Sequence, residues 1–101
     1  NSAKLITTNQ KEHMAKQVIK FYADWCGPCT VYAPAFTKVR EELESDEITF
    51  LEINVENDPE NLSGQYGVRG IPHTVVITEG AETQARSGRI AEDELKQFIL
   101  N

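Results

Sequence analysis

Apolar positions along this chain follow two alternating rhythms: short β-branched runs, and longer stretches with helical spacing. Lys4–Thr7 predicts a short strand and Asn9–Ala15 a weak helix, weak because its composition is polar. Gln17–Tyr22 reads as a strand buried on both faces, with Ile19 and Phe21 alternating against Val18, Lys20 and Tyr22. From Pro28 a helix is expected to about Glu44, carrying Tyr32, Phe36, Val39 and Leu43 at the 4-3-4 spacing of one apolar stripe. Pro28 suits the first helical turn, where its missing N–H costs nothing. Pro34 lies inside the helix and should kink it.

Thr49–Val55 then alternates, Leu51, Ile53 and Val55 against Phe50, Glu52 and Asn54, as a strand does. Asp58–Tyr66 predicts a short helix, followed by the glycine-rich turn Gly67-Val68-Arg69-Gly70. Thr74–Thr78 and Glu82–Ser87 predict antiparallel strands joined at Glu79-Gly80, and Gly88 breaks the second. Ala91–Leu100 closes the chain as a helix with Ala91, Leu95, Phe98 and Ile99 inward, and with Glu92, Asp93 and Glu94 at its positive end. This order implies an α/β fold: a mixed central sheet of about five strands flanked on both faces by about four helices. The early βαβ unit supplies the parallel pairing and the late hairpin the antiparallel one.

Composition narrows the class. One hundred and one residues suit a single domain spanning 1–101 with an ordinary core, and 40% apolar with 26% charged residues is a globular balance. A net charge of −6 argues against nucleic acid, because phosphate binding needs a basic face. No apolar run approaches the roughly 20 residues of a membrane span. The N-terminus shows no signal-peptide pattern, although the chain begins at Asn1 and a removed leader stays open; the expectation is a cytoplasmic monomer. The acidic run Glu41, Glu42, Glu44, Asp46 and Glu47 reads as a solvated helix end whose charges oppose the helix dipole.

Both cysteines and the only tryptophan sit together in Trp25-Cys26-Gly27-Pro28-Cys29, between a strand and a helix. Thiols three apart at such a junction lie one turn apart, the first expected at the exposed tip and the second tucked beneath it. Two cysteines are too few for a secreted disulfide scaffold, and C-x-x-C beside a βαβ pattern reads as redox chemistry. A structural zinc site needs four ligands, and only His13 and His73 could join the cysteines, neither at a finger-like spacing, so no metal is expected.

Phe21-Tyr22-Ala23-Asp24-Trp25-Cys26-Gly27-Pro28-Cys29, then Tyr66-Gly67-Val68-Arg69-Gly70-Ile71-Pro72, then Ser87-Gly88-Arg89, together resemble the thioredoxin family, in order and spacing, from Lys4 to Leu100. The resemblance implies the thioredoxin fold and a thiol–disulfide oxidoreductase that reduces protein disulfides. The Gly-Pro dipeptide resembles the reducing members more than the oxidising or isomerising ones. An oxidase or isomerase of the same fold, and a non-catalytic subunit using the groove for binding, are the other readings. Cys26 would be the nucleophile and Cys29 the resolving thiol. A helix N-terminus favours the Cys26 thiolate, an effect for which this family is itself a standard example. By resemblance Pro72 is cis and faces the cysteines, the backbone at Ile71 pairs with an extended substrate, and Trp25, Gly27, Pro28, Gly67, Ile71, Pro72 and Gly88 line the groove, glycines permitting close approach. No bound cofactor is implied; electrons would come from NADPH through a thioredoxin reductase.

Several positions depart from the family pattern. The family's buried aspartate six residues before the first cysteine is Lys20 here, and its lysine partner falls at Glu52. Burying either charge alone is costly, so an ion pair with exchanged charges is expected, either structural or a tuner of Cys29. A cation favours the Cys29 thiolate but cannot take its proton while charged, so Glu52 or a deprotonated Lys20 would be the base. Arg89 and Ser87 stand where the family tends to be small or apolar, which weakens the expectation that the usual reductase recognises this surface. Thr30 replaces a residue that is often basic. His73 follows Pro72 and reads as a partly exposed strand start, with a tuner of the thiolate as the alternative.

Overall fold

The computed structural model describes residues 15–101. The predicted strand Lys4–Thr7 and nearly all of the predicted helix Asn9–Ala15, with His13, lie outside the described residues. The described elements are β1 (Lys16–Tyr22), α1 (Gly27–Leu43), β2 (Ile48–Asn54), α2 (Leu62–Gln65), β3 (His73–Thr78), β4 (Gln84–Ser87) and α3 (Glu92–Leu100). The four strands among them lie in the order β2-β1-β3-β4. β1 and β2 pair in parallel with Lys20 opposite Glu52. Antiparallel pairing extends beyond the hairpin β3–β4, because β3 also runs antiparallel to β1, with Phe21 opposite His73.

Alternation along β1 sorts the core into two layers, as period-two side-chain geometry requires. Val18 joins Phe50 and Val76 on one face, under Tyr32, Phe36 and Val39 of α1 and Leu95 and Ile99 of α3. Ile19 and Phe21 join Ile53 and Val75 on the other, covered by Leu62, Tyr66, Val68 and Ile71. The buried stripe of α1 is Cys29, Tyr32, Phe36 and Val39, so the redox pair continues the core stripe. Leu43 is only partly buried, and the helix runs unbroken through Pro34.

Three sequence expectations change. The predicted helix Asp58–Tyr66 shortens to α2, because Asn61 adopts a left-handed conformation (φ 56°) that ends the preceding turn. Asp58 then caps α2 from outside, its carboxylate accepting from the Leu62 and Ser63 N–H groups at 2.9 and 2.8 Å. The Ser63 N–H in particular holds the Asp58 carboxyl below the usual carboxylate range. Ala91 is exposed rather than inward, since it stands at the cap of α3. The acidic end of α1 is not simply solvated: Glu44 pairs with Arg40 at 3.4 Å and Glu42 with Lys96, which ties α1 to α3.

Candidate active site

Cys26 caps the N-terminus of α1 in extended conformation (φ −87°, ψ 110°), and its sulfur accepts from the Cys29 N–H at 3.2 Å. A helix start leaves several N–H groups without intrahelical partners, so the sulfur sits where such donors converge. Cys26 and Cys29 are joined as a disulfide, with Cα atoms 5.2 Å apart. Both are buried, at 5% and 4% exposure, so the expected contrast between an exposed first cysteine and a covered second one is absent in the oxidised pair. Ala23, Tyr22, Val55 and Ile71 pack against the bridge.

The Ile71–Pro72 peptide is cis, Pro72 is buried, and the Ile71 carbonyl oxygen lies 3.8 Å from Cys26 Sγ. Gly88 N–H donates to the Pro72 carbonyl at 2.7 Å, joining the loops before β3 and after β4 beside the disulfide. Gly67 and Gly88 have φ of 66° and 93°, and a side chain at either would meet nothing within 4 Å. The requirement for glycine there is thus the left-handed backbone rather than crowding within the chain. Trp25 is 68% exposed, with its indole N–H donating to Glu56 at 2.7 Å, which holds a broad apolar face in solvent next to Cys26. Gly27, Pro28 and Val31 are exposed on the same first turns of α1.

Beneath α1, Lys20 is 3% exposed and its ammonium lies 3.1 Å from Glu52, its register partner. The ammonium also sits over aromatic rings, 4.8 Å from the Phe36 centroid and 5.3 Å from Tyr22, contacts that favour a desolvated cation. Glu52 reaches outward to Arg40 at 3.3 Å. Sequence reasoning found the pair but missed Arg40, which lies a helix away and carries no motif. It also missed the buried hydrogen bond between Tyr32 and Thr74 (2.8 Å); burial pushes the Tyr32 phenol up to about 12.

His73 is buried, at 7% exposure, rather than partly exposed, because β3 lies between β1 and β4, which pair it with Phe21, whose ring centroid is 6.3 Å from the imidazole, and with Ser87. Its Nδ1 meets Ser87 Oγ at 2.8 Å, and its Nε2 is buried with no hydrogen-bond partner among the described residues. Burial lowers its pKa from the ordinary 6.5. Well above pH 6.5 folded and unfolded chains both hold a neutral imidazole, and His73 adds no pH dependence. As pH falls below that value the unfolded chain takes the proton first, so stability drops. Denaturation midpoints at about pH 7.5 and about pH 5 should therefore differ, and His73→Asn should shrink the difference. Asp58 does not confuse the comparison, since its carboxyl sits below 3.8.

Residues 3–101 match the thioredoxin family. The chain belongs to it. A thioredoxin of Mycoplasmoides gallisepticum is 34% identical over 95 residues, covering 94% of this chain and 87% of that protein. A thioredoxin of Rhodospirillum rubrum is 33% identical over 81 residues, 80% of this chain and 76% of its own length. The X-ray structure of Fasciola hepatica thioredoxin superposes with a TM-score of 0.73 at 29% identity, over 98% of this chain and 91% of that one. Family membership and the Cys26–Cys29 pair make the chain a disulfide oxidoreductase. Among the described residues no group of His, Cys, Asp or Glu is placed to hold a metal ion.

Proposed function

We propose that this protein reduces protein disulfides through Cys26-Gly27-Pro28-Cys29 by way of a mixed disulfide. The observation that carries the reading is the pair's placement, with Cys26 at the cap of α1 against the Ile71–Pro72 loop. In the dithiol form the Cys26 thiolate attacks one sulfur of the client disulfide; that S–S bond breaks and the departing client thiolate takes up a proton. Cys29 then loses its proton and attacks Cys26 Sγ. The mixed disulfide breaks, the second client thiol leaves, and Cys26–Cys29 remains oxidised, two electrons having passed to the client.

Trp25, Gly27, Pro28, Gly67, Ile71, Pro72 and Gly88 form the client-facing surface in this reading, the Ile71 backbone pairing with an extended segment of client. Lys20 and Glu52 tune Cys29: the ammonium lies 6.0 Å from the centroid of Tyr32, which follows Cys29 by one helical turn. Electrons arrive from NADPH through a thioredoxin reductase, and the protein works as a cytoplasmic monomer.

An insulin-type reduction assay tests this, run first with dithiothreitol as donor and then with NADPH and a flavin reductase. Turnover is expected with dithiothreitol; none above the uncatalysed rate would overturn the reading. Turnover with dithiothreitol but not with the reductase would locate the departure in the surface around Ser87 and Arg89. A measured reduction potential separates this reading from an oxidase or isomerase of the same fold.

A further inference from the structure

Eight lysines and arginines lie among the described residues, and six of them are engaged. Lys16 donates to the Ile99 carbonyl, Lys20 pairs with Glu52, Lys38 with Glu92, Arg40 with Glu44 and Glu52, and Lys96 with Glu42, while Arg86 lies over the Phe98 ring. Arg69 and Arg89 alone have no such partner among the described residues, in a chain with 16 acidic side chains available. Arg89 follows Gly88, whose N–H bonds the Pro72 carbonyl, and Arg69 precedes Pro72 by three residues.

Arg89 also lines a cleft of about 430 Å³ with Val31, Ala35, Ile90 and Glu94. Val31 is two residues beyond Cys29 and 58% exposed, so the cleft begins at the redox helix and offers an apolar wall ending in a guanidinium. Glu94 lies in the first turn of α3, where the helix dipole already favours its charge, and it forms no ion pair with Arg89. We propose that Arg89 selects clients that carry an aspartate or glutamate within a few residues of the cysteine that Cys26 attacks, with an apolar neighbour against Val31. Guanidinium is suited to the task because its planar fork meets a carboxylate with two hydrogen bonds. The inference rests on the disulfide-reductase reading and deepens it by naming the client chemistry.

The test uses three disulfide-linked peptide pairs, identical except for glutamate, glutamine or lysine two residues from the attacked cysteine, with dithiothreitol as donor. The protein is expected to prefer the glutamate peptide to the lysine peptide by about fivefold in kcat/KM, the scale of partly exposed charge pairs. The preference should shrink in high salt, which shortens the screening length to about 3 Å at 1 M. Arg89→Glu should reverse the preference and Arg89→Gln should abolish most of it; both replace an exposed, unpaired side chain, so folding is not at stake. Lys38→Glu makes the same charge change on an exposed lysine elsewhere and should preserve both the rate and the preference. An unchanged ratio in Arg89→Glu, or an equal loss in Lys38→Glu, overturns the proposal while leaving the reductase reading intact. Failure to reduce any of the three peptides overturns both.

Discussion

Cys29→Ser is expected to convert a turnover catalyst into a trap: incubated with a disulfide-bonded client, the variant should accumulate a covalent Cys26–client adduct. The first exchange needs only Cys26, whose sulfur sits at the cap of α1 with the Cys29 backbone N–H directed at it, and serine at 29 retains that donor. The second exchange needs a thiol one turn along, and a hydroxyl cannot displace the client sulfur. Cys26→Ser should form no adduct and reduce nothing above background, because the remaining thiol lies inside the first turn of α1 rather than at its cap, where the free N–H donors favour a thiolate. Non-reducing electrophoresis with mass determination distinguishes the two variants. Adducts formed equally through position 29 in Cys26→Ser would reverse the assigned roles.

The second large effect is an asymmetry at the exchanged ion pair. Glu52→Ala should cost about 2–4 kcal/mol of stability, because it strips the carboxylate from a lysine that is 3% exposed and has only aromatic faces left around it. Lys20→Met should cost about 1 kcal/mol or less, since the thioether fills the space among Tyr22, Tyr32 and Phe36 while Glu52, one-third exposed, keeps Arg40. Adding Lys20→Met to Glu52→Ala should restore most of the loss. Denaturant midpoints of the three variants decide the matter, and equal losses in the two single variants would contradict it. The same pair has a kinetic consequence. Lys20→Asp combined with Glu52→Lys should shift the pH dependence of disulfide reduction, because a carboxylate beneath α1 can take a proton that an ammonium cannot. An unaltered pH–rate profile would leave Lys20 and Glu52 as structure alone.

Much of this was legible in the sequence, for reasons that differ element by element. β1 and α1 were readable because burial imposes a local period: Ile19 and Phe21 against Val18 and Lys20, then Tyr32, Phe36 and Val39 along one stripe. The redox pair was readable because its chemistry needs two thiols at fixed spacing and the chain has no others. α2 was misread because periodicity says nothing about Asn61, whose left-handed backbone ends the turn before it. Ala91 was misread because a cap and an inward position can carry the same small side chain. Counts of strands and helices fell short of expectation only where the predicted elements lie outside the described residues.

By itself the sequence determined the α/β order and the chemistry available at Cys26 and Cys29, both encoded in residue types and short spacings, while the exchange of charge between Lys20 and Glu52 was legible only through the resemblance to the family. Tertiary structure alone decided the rest, since it depends on distant segments meeting. The parallel register brings Glu52 opposite Lys20, and Glu52 also reaches Arg40. The antiparallel register buries His73 against Phe21 and hands its Nδ1 to Ser87. The hydrogen bond from Gly88 to Pro72 ties the segment before Arg89 to the Ile71–Pro72 loop, and Arg89 shares a cleft with Glu94 without an ion pair among the described residues. A side chain's period along one element fixes which way it faces, but only the partner strand or helix fixes what it meets there.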